Sequence, residues 1–156
     1  MKKLVSSFLM LVFLFSFSGC SNSALKYSFQ RKKPNNFYYT NALLSQLKDK
    51  GFSNVLALEM NLQKEKNLGD ADIETVKSFL GSIQAKNFLA SCPDLSVQPQ
   101  FRIYITSGSE KYVINVYNEK YIGIFPWDGS YNMDYLDMSE IKPLYNLYNL
   151  CKYLYR

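Results

Sequence analysis

The sequence predicts an α+β domain: a small antiparallel meander sheet of three to four strands packed against two or three helices. Three observations predict it. Between residues 101 and 125, three runs alternate apolar and polar side chains and are joined by short turns. Upstream, residues 41–50 and 70–83 repeat apolar residues at helical spacing. Residues 143–155 do so again at the end of the chain.

The chain begins with an address rather than a fold. Lys2 and Lys3 form a basic start, Leu4 to Phe17 is a short apolar run broken only by serines, and small residues precede a cysteine in Phe17-Ser18-Gly19-Cys20. A bilayer-spanning helix needs about 20 apolar residues, more than this run supplies. A charged start, a short apolar run and a small-residue cleavage site read as a secretory signal peptide. The segment resembles the lipobox of bacterial lipoproteins, where signal peptidase cuts just before a lipid-modified cysteine, although Phe17 stands where leucine is usual. The resemblance implies a diacylglyceryl thioether on Cys20, with palmitate-type acyl chains. Two such chains, at about 0.8 kcal/mol per buried CH₂, hold a protein stably on a membrane. Residues 1–19 are then the signal peptide, 20–36 the lipidated cysteine and its tether, and 37–156 a single domain.

Charge follows the same division. The 156-residue chain carries a net charge of +5, with 18 Lys and Arg against 13 Asp and Glu. Lys26, Arg31, Lys32 and Lys33 lie in the tether, and no acid occurs before Asp49. From Phe37 onward 12 basic residues face 13 acidic ones, so the basic surplus belongs to the leader and the tether. A nucleic-acid binder carries its positive patch on the folded surface, so nucleic acid is not an expected partner. The tether reads either as a membrane-facing basic segment, each cation gaining roughly 1 kcal/mol near anionic lipid, or as a solvated spacer.

Within the domain, Leu43, Leu44 and Leu47 mark the first helix, and Gly51 suits its end. Residues 54–62 alternate, with Leu56, Leu58, Met60 and Leu62 on one side and Val55, Ala57 and Glu59 on the other, which favours a strand. Residues 63–69 are polar and read as a loop. The second helix carries Ile73, Val76, Leu80 and Ile83 on one face, and Asp70, Asp72 and Glu74 crowd its first turn, where carboxylates favour the positive end of the helix dipole. Three strands follow, with Ser107-Gly108-Ser109 and Asn118-Glu119-Lys120 as the turns. Pro126 closes the third, because proline cannot donate to a ladder. The last helix starts at Pro143 and shows a stripe of Leu144, Tyr148, Cys151 and Tyr155, widened by Leu147, Leu150 and Leu154.

Little in this chain carries catalytic chemistry. It has no histidine, which removes the usual general base and the commonest metal ligand. Ser45-Gln46-Leu47-Lys48 and Ser139-Glu140-Ile141-Lys142 match Ser-x-x-Lys, the nucleophile motif of penicillin-binding proteins, but the companion Ser-Asp-Asn and Lys-Thr-Gly motifs are missing. There is no nucleophile elbow and no phosphate loop, and no cofactor is expected. The segment from Asp128 to Asp137 is richer. Asp128, Ser130, Asn132 and Asp134 place oxygen side chains at alternating positions, as a calcium loop does. Met133 stands where that loop's turn requires glycine, and a polar loop held by Asx turns is the alternative. Trp127, Asp128, Tyr131, Asp134 and Asp137 are the candidate ligand-binding residues. The chain has 13 tyrosines, ten of them from Tyr104 to Tyr155. Tyr covers apolar surface with its ring and hydrogen-bonds at its tip, so a patch of them suits a protein, peptide or glycan, while ordinary packing in an AT-rich coding background is the plainer reading.

With Cys20 lipidated, Cys92 and Cys151 remain. A disulfide between them is permitted outside the membrane and is worth roughly 4 kcal/mol on the chain-entropy account. Two free thiols are the alternative.

Tyr112-Val113-Ile114-Asn115-Val116-Tyr117-Asn118, Pro126-Trp127-Asp128-Gly129 and Leu147-Tyr148-Asn149-Leu150-Cys151, taken with the lipobox, resemble a small uncharacterised lipoprotein family of low-GC Gram-positive bacteria, a domain of unknown function. The resemblance implies a lipid-anchored location on the extracytoplasmic face of the cell membrane, and no activity. The expected role is a non-enzymatic binding or interaction module. A cell-envelope hydrolase using carboxylates of Asp128, Asp134 and Asp137, and a structural or immunity-type lipoprotein, are the alternatives.

Overall fold

Helix α1, Tyr38–Lys50, opens the folded chain in the computed structural model, which describes residues 32–95 and 98–156. Residues 1–19, read from the sequence as a signal peptide, and Cys20 lie outside the described residues. The elements that follow are β1 (Asn54–Glu59), β2 (Lys64–Asn67), α2 (Asp70–Ser82), β3 (Phe101–Ser107), β4 (Glu110–Val116), β5 (Tyr121–Pro126), β6 (Asp134–Asp137) and α3 (Leu147–Leu154). Single 3₁₀ turns lie at Ala85–Asn87 and Pro143–Tyr145.

The class is α+β, but the sheet has six strands rather than three or four. Its order is β2-β1-β3-β4-β5-β6, every pair antiparallel. The β3-β4-β5 meander sits at the centre, as the alternation predicts. The two outer strands carry no readable pattern. In β2 every residue of Lys-Glu-Lys-Asn is exposed, and the strand is held by its backbone ladder to β1. A charged edge strand of this kind also discourages pairing with another chain. β6 has only four residues, two inward and two outward.

Helices α1, α2 and α3 cover one face of the sheet. Residues at every second position point the same way, so Val55 and Ala57 of β1, Ile103 and Ile105 of β3, Ile114 of β4, Ile122 and Ile124 of β5 and Leu136 of β6 share that face and are buried. Leu43, Phe79, Leu147 and Cys151 close over them from the helices. Each Val, Leu, Ile or Phe among them contributes about 1.5–3 kcal/mol on burial. In β1 the inward side is therefore Val55 and Ala57; the leucine side faces away from the helices, and Leu62 is exposed in the turn that follows.

The last helix also starts later than its sequence suggests. Asn146 accepts hydrogen bonds from the backbone N–H groups of Tyr148 and Asn149 and caps α3. The 3₁₀ turn before it is a separate piece. The break changes the phase, so Leu144 is exposed while Leu147, Leu150, Cys151 and Leu154 face inward.

Candidate functional site

The Trp127 corner is built where β5 runs out. Pro126 still pairs with Tyr112, and the Trp127 N–H donates to the Lys111 carbonyl at 2.8 Å, carrying the ladder one residue further. That step turns the indole to the face of the sheet without helices, beside outward residues of β3 and β4. The ring lies 5.9 Å from Tyr104, and the Lys111 ammonium sits 5.7 Å from the indole centroid. Trp127 is 63% exposed. The indole is thus bounded by Tyr104 and Lys111 and open to solvent on its remaining side.

The chain then turns sharply through Gly129, whose N–H donates to the Pro126 carbonyl. A β-carbon at Gly129 would come 3.0 Å from the Tyr39 hydroxyl and 3.1 Å from the Pro126 ring, tighter than ordinary van der Waals contact, so loop and helix approach closely there. The Tyr39 hydroxyl accepts the Tyr131 N–H at 2.6 Å. Burial raises its pKa, partly offset by that backbone bond. Tyr131 meets Tyr38 edge-on at 5.8 Å, and Tyr38 is 40% exposed. Trp127, Tyr131 and Tyr38 thus frame one end of the molecule.

Behind the aromatic rings lies an ion pair. Asp134 is completely buried on the inward side of β6. The Lys33 ammonium lies 2.5 Å from its Oδ1, donates to the Asn132 carbonyl at 2.9 Å and stands over the Tyr39 ring. Asp134 Oδ2 accepts the Thr40 N–H at 2.7 Å. Helix α1 has no side-chain cap of its own and no acid in its first turn. A carboxylate from a distant strand therefore satisfies one of its free N–H groups and faces the positive end of its dipole.

This arrangement separates the acids of the loop. Asp128 is exposed in the turn, Asp134 is consumed behind it, and Asp137, three residues on along the strand, points to the opposite face. Burial alone would raise the Asp137 pKa, but hydrogen bonds from Ser139 and the nearby Lys120 ammonium bring it below its ordinary value. The calcium spacing does not form a cage: Ser130 and Asn132 are exposed, and a lysine ammonium occupies the place of an ion at Asp134. Among the described residues no group of three or more Cys, Asp or Glu is placed to hold a metal. Of the candidate ligand-binding residues, Trp127 and Asp128 are exposed in the turn and Tyr131 is half-buried against Tyr38 and Tyr39, while Asp134 is buried and Asp137 lies on the opposite face.

The cysteines are likewise parted. Both are free, Cys92 exposed and Cys151 buried. Cys151 lies beneath α3 on the helical face, while the Cys92 thiol neighbours the Tyr135 hydroxyl on the other face, with the sheet between them.

Lys33, Tyr38, Tyr104 and Lys111 are the parts of the corner that sequence reasoning missed. Lys33 reads as tether charge, and only the inward position of an aspartate in a strand hints that a cation must meet it. A cleft of about 560 Å³ between α1 and α2, floored by Leu44, Phe52 and Ile73 with Lys48 and Lys77 at its lips, was also hidden, because Leu44 and Ile73 sit in apolar helical patterns that read as core.

Comparison with known families places this architecture. The model of a domain of unknown function, DUF4883, matches residues 33–151. The chain belongs to the DUF4883 family. The match begins at the ion-pair residue Lys33, and the compact unit of the structure runs from the same residue, Lys33–Arg156. The three stretches whose resemblance was noted in the sequence lie inside the matched range. Among solved structures, the DUF4883 chain is similar to a protein described as "Putative Lipoprotein from Clostridium perfringens", with 29% identity and a TM-score of 0.71 over 80% of this chain and 98% of that one. Comparison with curated proteins gives no match.

Proposed function

We propose that this DUF4883 protein is an extracytoplasmic lipoprotein, held in the membrane by acylated Cys20, whose folded domain is a non-enzymatic interaction module. The lipobox-like segment supports the anchor, as does similarity to a clostridial protein named as a lipoprotein along 98% of that chain's length. The observation that carries the interaction role is Trp127: the ring is 63% exposed, yet its position is fixed by Tyr104, Lys111 and a backbone ladder bond. Such a ledge provides ring faces and hydrogen-bonding tips to another envelope component, while Asp134 is buried in its pair with Lys33 and Asp137 points to the opposite face of the sheet.

The test follows the thioether and the ledge separately. Labelled palmitate should enter the native chain and not Cys20→Ala, and protease added to intact protoplasts should remove the native domain. Native chain recovered from cytosol with Met1 attached and no acyl mass overturns the anchor. Trp127→Ala should leave folding and acylation unchanged while abolishing the envelope contacts captured by crosslinking in cells; unchanged contacts overturn the role of the corner.

A further inference from the structure

We infer that the Trp127 corner is the foot on which the anchored domain rests against the bilayer interface. The inference rests on the lipoprotein reading above and names the partner of the aromatic ledge.

The first ground is where the folded chain begins. Lys33 is clamped by Asp134 and by the Asn132 carbonyl, in the segment that directly follows Trp127 and Tyr131. The chain leading back to Cys20 therefore joins the folded body beside the aromatic corner. Thirteen peptide units separate Cys20 from Lys33, so the lipidated residue can lie no more than ~45 Å from that clamp even at full extension. Helix α3 lies at the opposite end of the strands. Its cap, Asn146, donates to the Glu119 carbonyl in the β4–β5 turn, one strand length or ~20 Å away from the corner.

The second ground is the chemistry of the rings. Trp and Tyr collect at membrane–water interfaces because the ring is apolar while its N–H or O–H tip finds headgroup acceptors. Trp127 is exposed at this end on the helix-free face, and Tyr38, exposed on α1, meets Tyr131 edge-on. The Lys111 ammonium lies over the indole. Lysine stems can follow apolar surface while their ammonium groups reach headgroup phosphates. Asp128 and Glu110, exposed at the same end, oppose any strong pull toward anionic lipid. The rings therefore lead the contact, and it should persist at high salt. A weak contact suffices, because the lipid makes it an intramolecular one.

Trp127 is the only tryptophan in the chain, so its emission reads this corner directly. The acylated native chain, its mass showing the lipid, is placed in phosphatidylcholine–phosphatidylglycerol vesicles whose acyl chains carry bromine near the headgroup. Emission should shift to the blue and be quenched, as for a ring seated at the interface. The same loss should appear at low and high salt. In a Trp127→Tyr, Tyr153→Trp chain the indole sits on α3, where Tyr153 is 67% exposed, and its emission should be unchanged. Acylated chain with unquenched Trp127 overturns the inference and leaves the lipoprotein reading standing. Equal quenching at both positions also overturns it, since no end is then preferred. Emission already blue-shifted in detergent, with a second polypeptide present in equal amount, gives the corner to a protein partner and overturns it. Absence of acyl mass overturns the anchor and the inference together.

Discussion

The Lys33 ammonium and the Asp134 carboxylate meet at 2.5 Å, and the aspartate is wholly buried. The pair joins the first described stretch of the chain to the last strand of the sheet, and the same carboxylate caps α1 through Thr40. Removing one member of a buried pair costs about 3–5 kcal/mol when the other charge is stranded. Asp134→Ala should approach that loss, because it strips the cap and strands Lys33. Lys33→Met should cost a comparable amount, because it strands the wholly buried carboxylate even though that group keeps the Thr40 N–H. Urea unfolding of both variants, with unchanged slope, checks the size of the two losses. A loss below about 1 kcal/mol for Asp134→Ala would put the pair with surface salt bridges instead.

What was legible in the sequence follows from how much each element buries. Strands β3, β4 and β5 each set alternating residues against a helical layer, so period two is written along them. β2 buries nothing, and a strand held by backbone bonds alone leaves no side-chain signature. β6 was hidden for a different reason. Its inward positions are Asp134 and Leu136, and an inward aspartate makes a strand read as loop. The candidate site failed at the same residue. Alternating oxygens in Asp128, Ser130, Asn132 and Asp134 suggest convergence, but one of them had become a helix cap. Trp127 and Tyr131 were legible because large rings next to Pro and Gly in a polar turn have no core to enter.

Gly123 sits in the middle of β5 on the face without helices, and Met133 fills the space above it. A β-carbon there would lie 2.3 Å from the Met133 sulfur. The sulfur also approaches the Tyr117 hydroxyl at 3.6 Å and the Asn115 amide at 3.9 Å. Gly123→Ala should therefore destabilise by about 1–3 kcal/mol, the range for overpacking, moderated by the flexibility of methionine. Adding Met133→Ala should restore most of it. A double-mutant cycle by chemical unfolding measures the coupling, which should be at least about 0.5 kcal/mol for residues in contact.

The two cysteines should behave as unlike thiols. In a Cys20→Ser chain, Cys92 is open to reagent and Cys151 lies beneath α3. One thiol should react under native conditions and a second only in denaturant. Reducing agent should leave the melting temperature unchanged, because no bridge links the two faces. A native chain that shows no reactive thiol until reduced would mean that the sheet does not stand between them.

Alkaline pH should unfold the domain earlier than acid chemistry alone suggests. Burial pushes the Cys151 thiol up to about 12, against an unfolded value of about 8.5. The Tyr155 hydroxyl, also pushed up to about 12 chiefly by burial, donates to the Ala57 carbonyl at 2.7 Å; unfolded, it titrates near 10. Both folded values are raised, so the unfolded chain loses protons first and is favoured as pH climbs. The associated stability is complete below about pH 8.5 and drains away as pH rises toward 12. Melting temperature should be level between about pH 6 and 8 and fall progressively above 9. Cys151→Ala removes the thiol's share, so its melting curve should stay flatter between about pH 8.5 and 10, even though the smaller side chain lowers stability at neutral pH. Circular dichroism melts of both chains across that range test the sign. A Cys151→Ala profile parallel to the native one would mean that the thiolate is tolerated beneath α3.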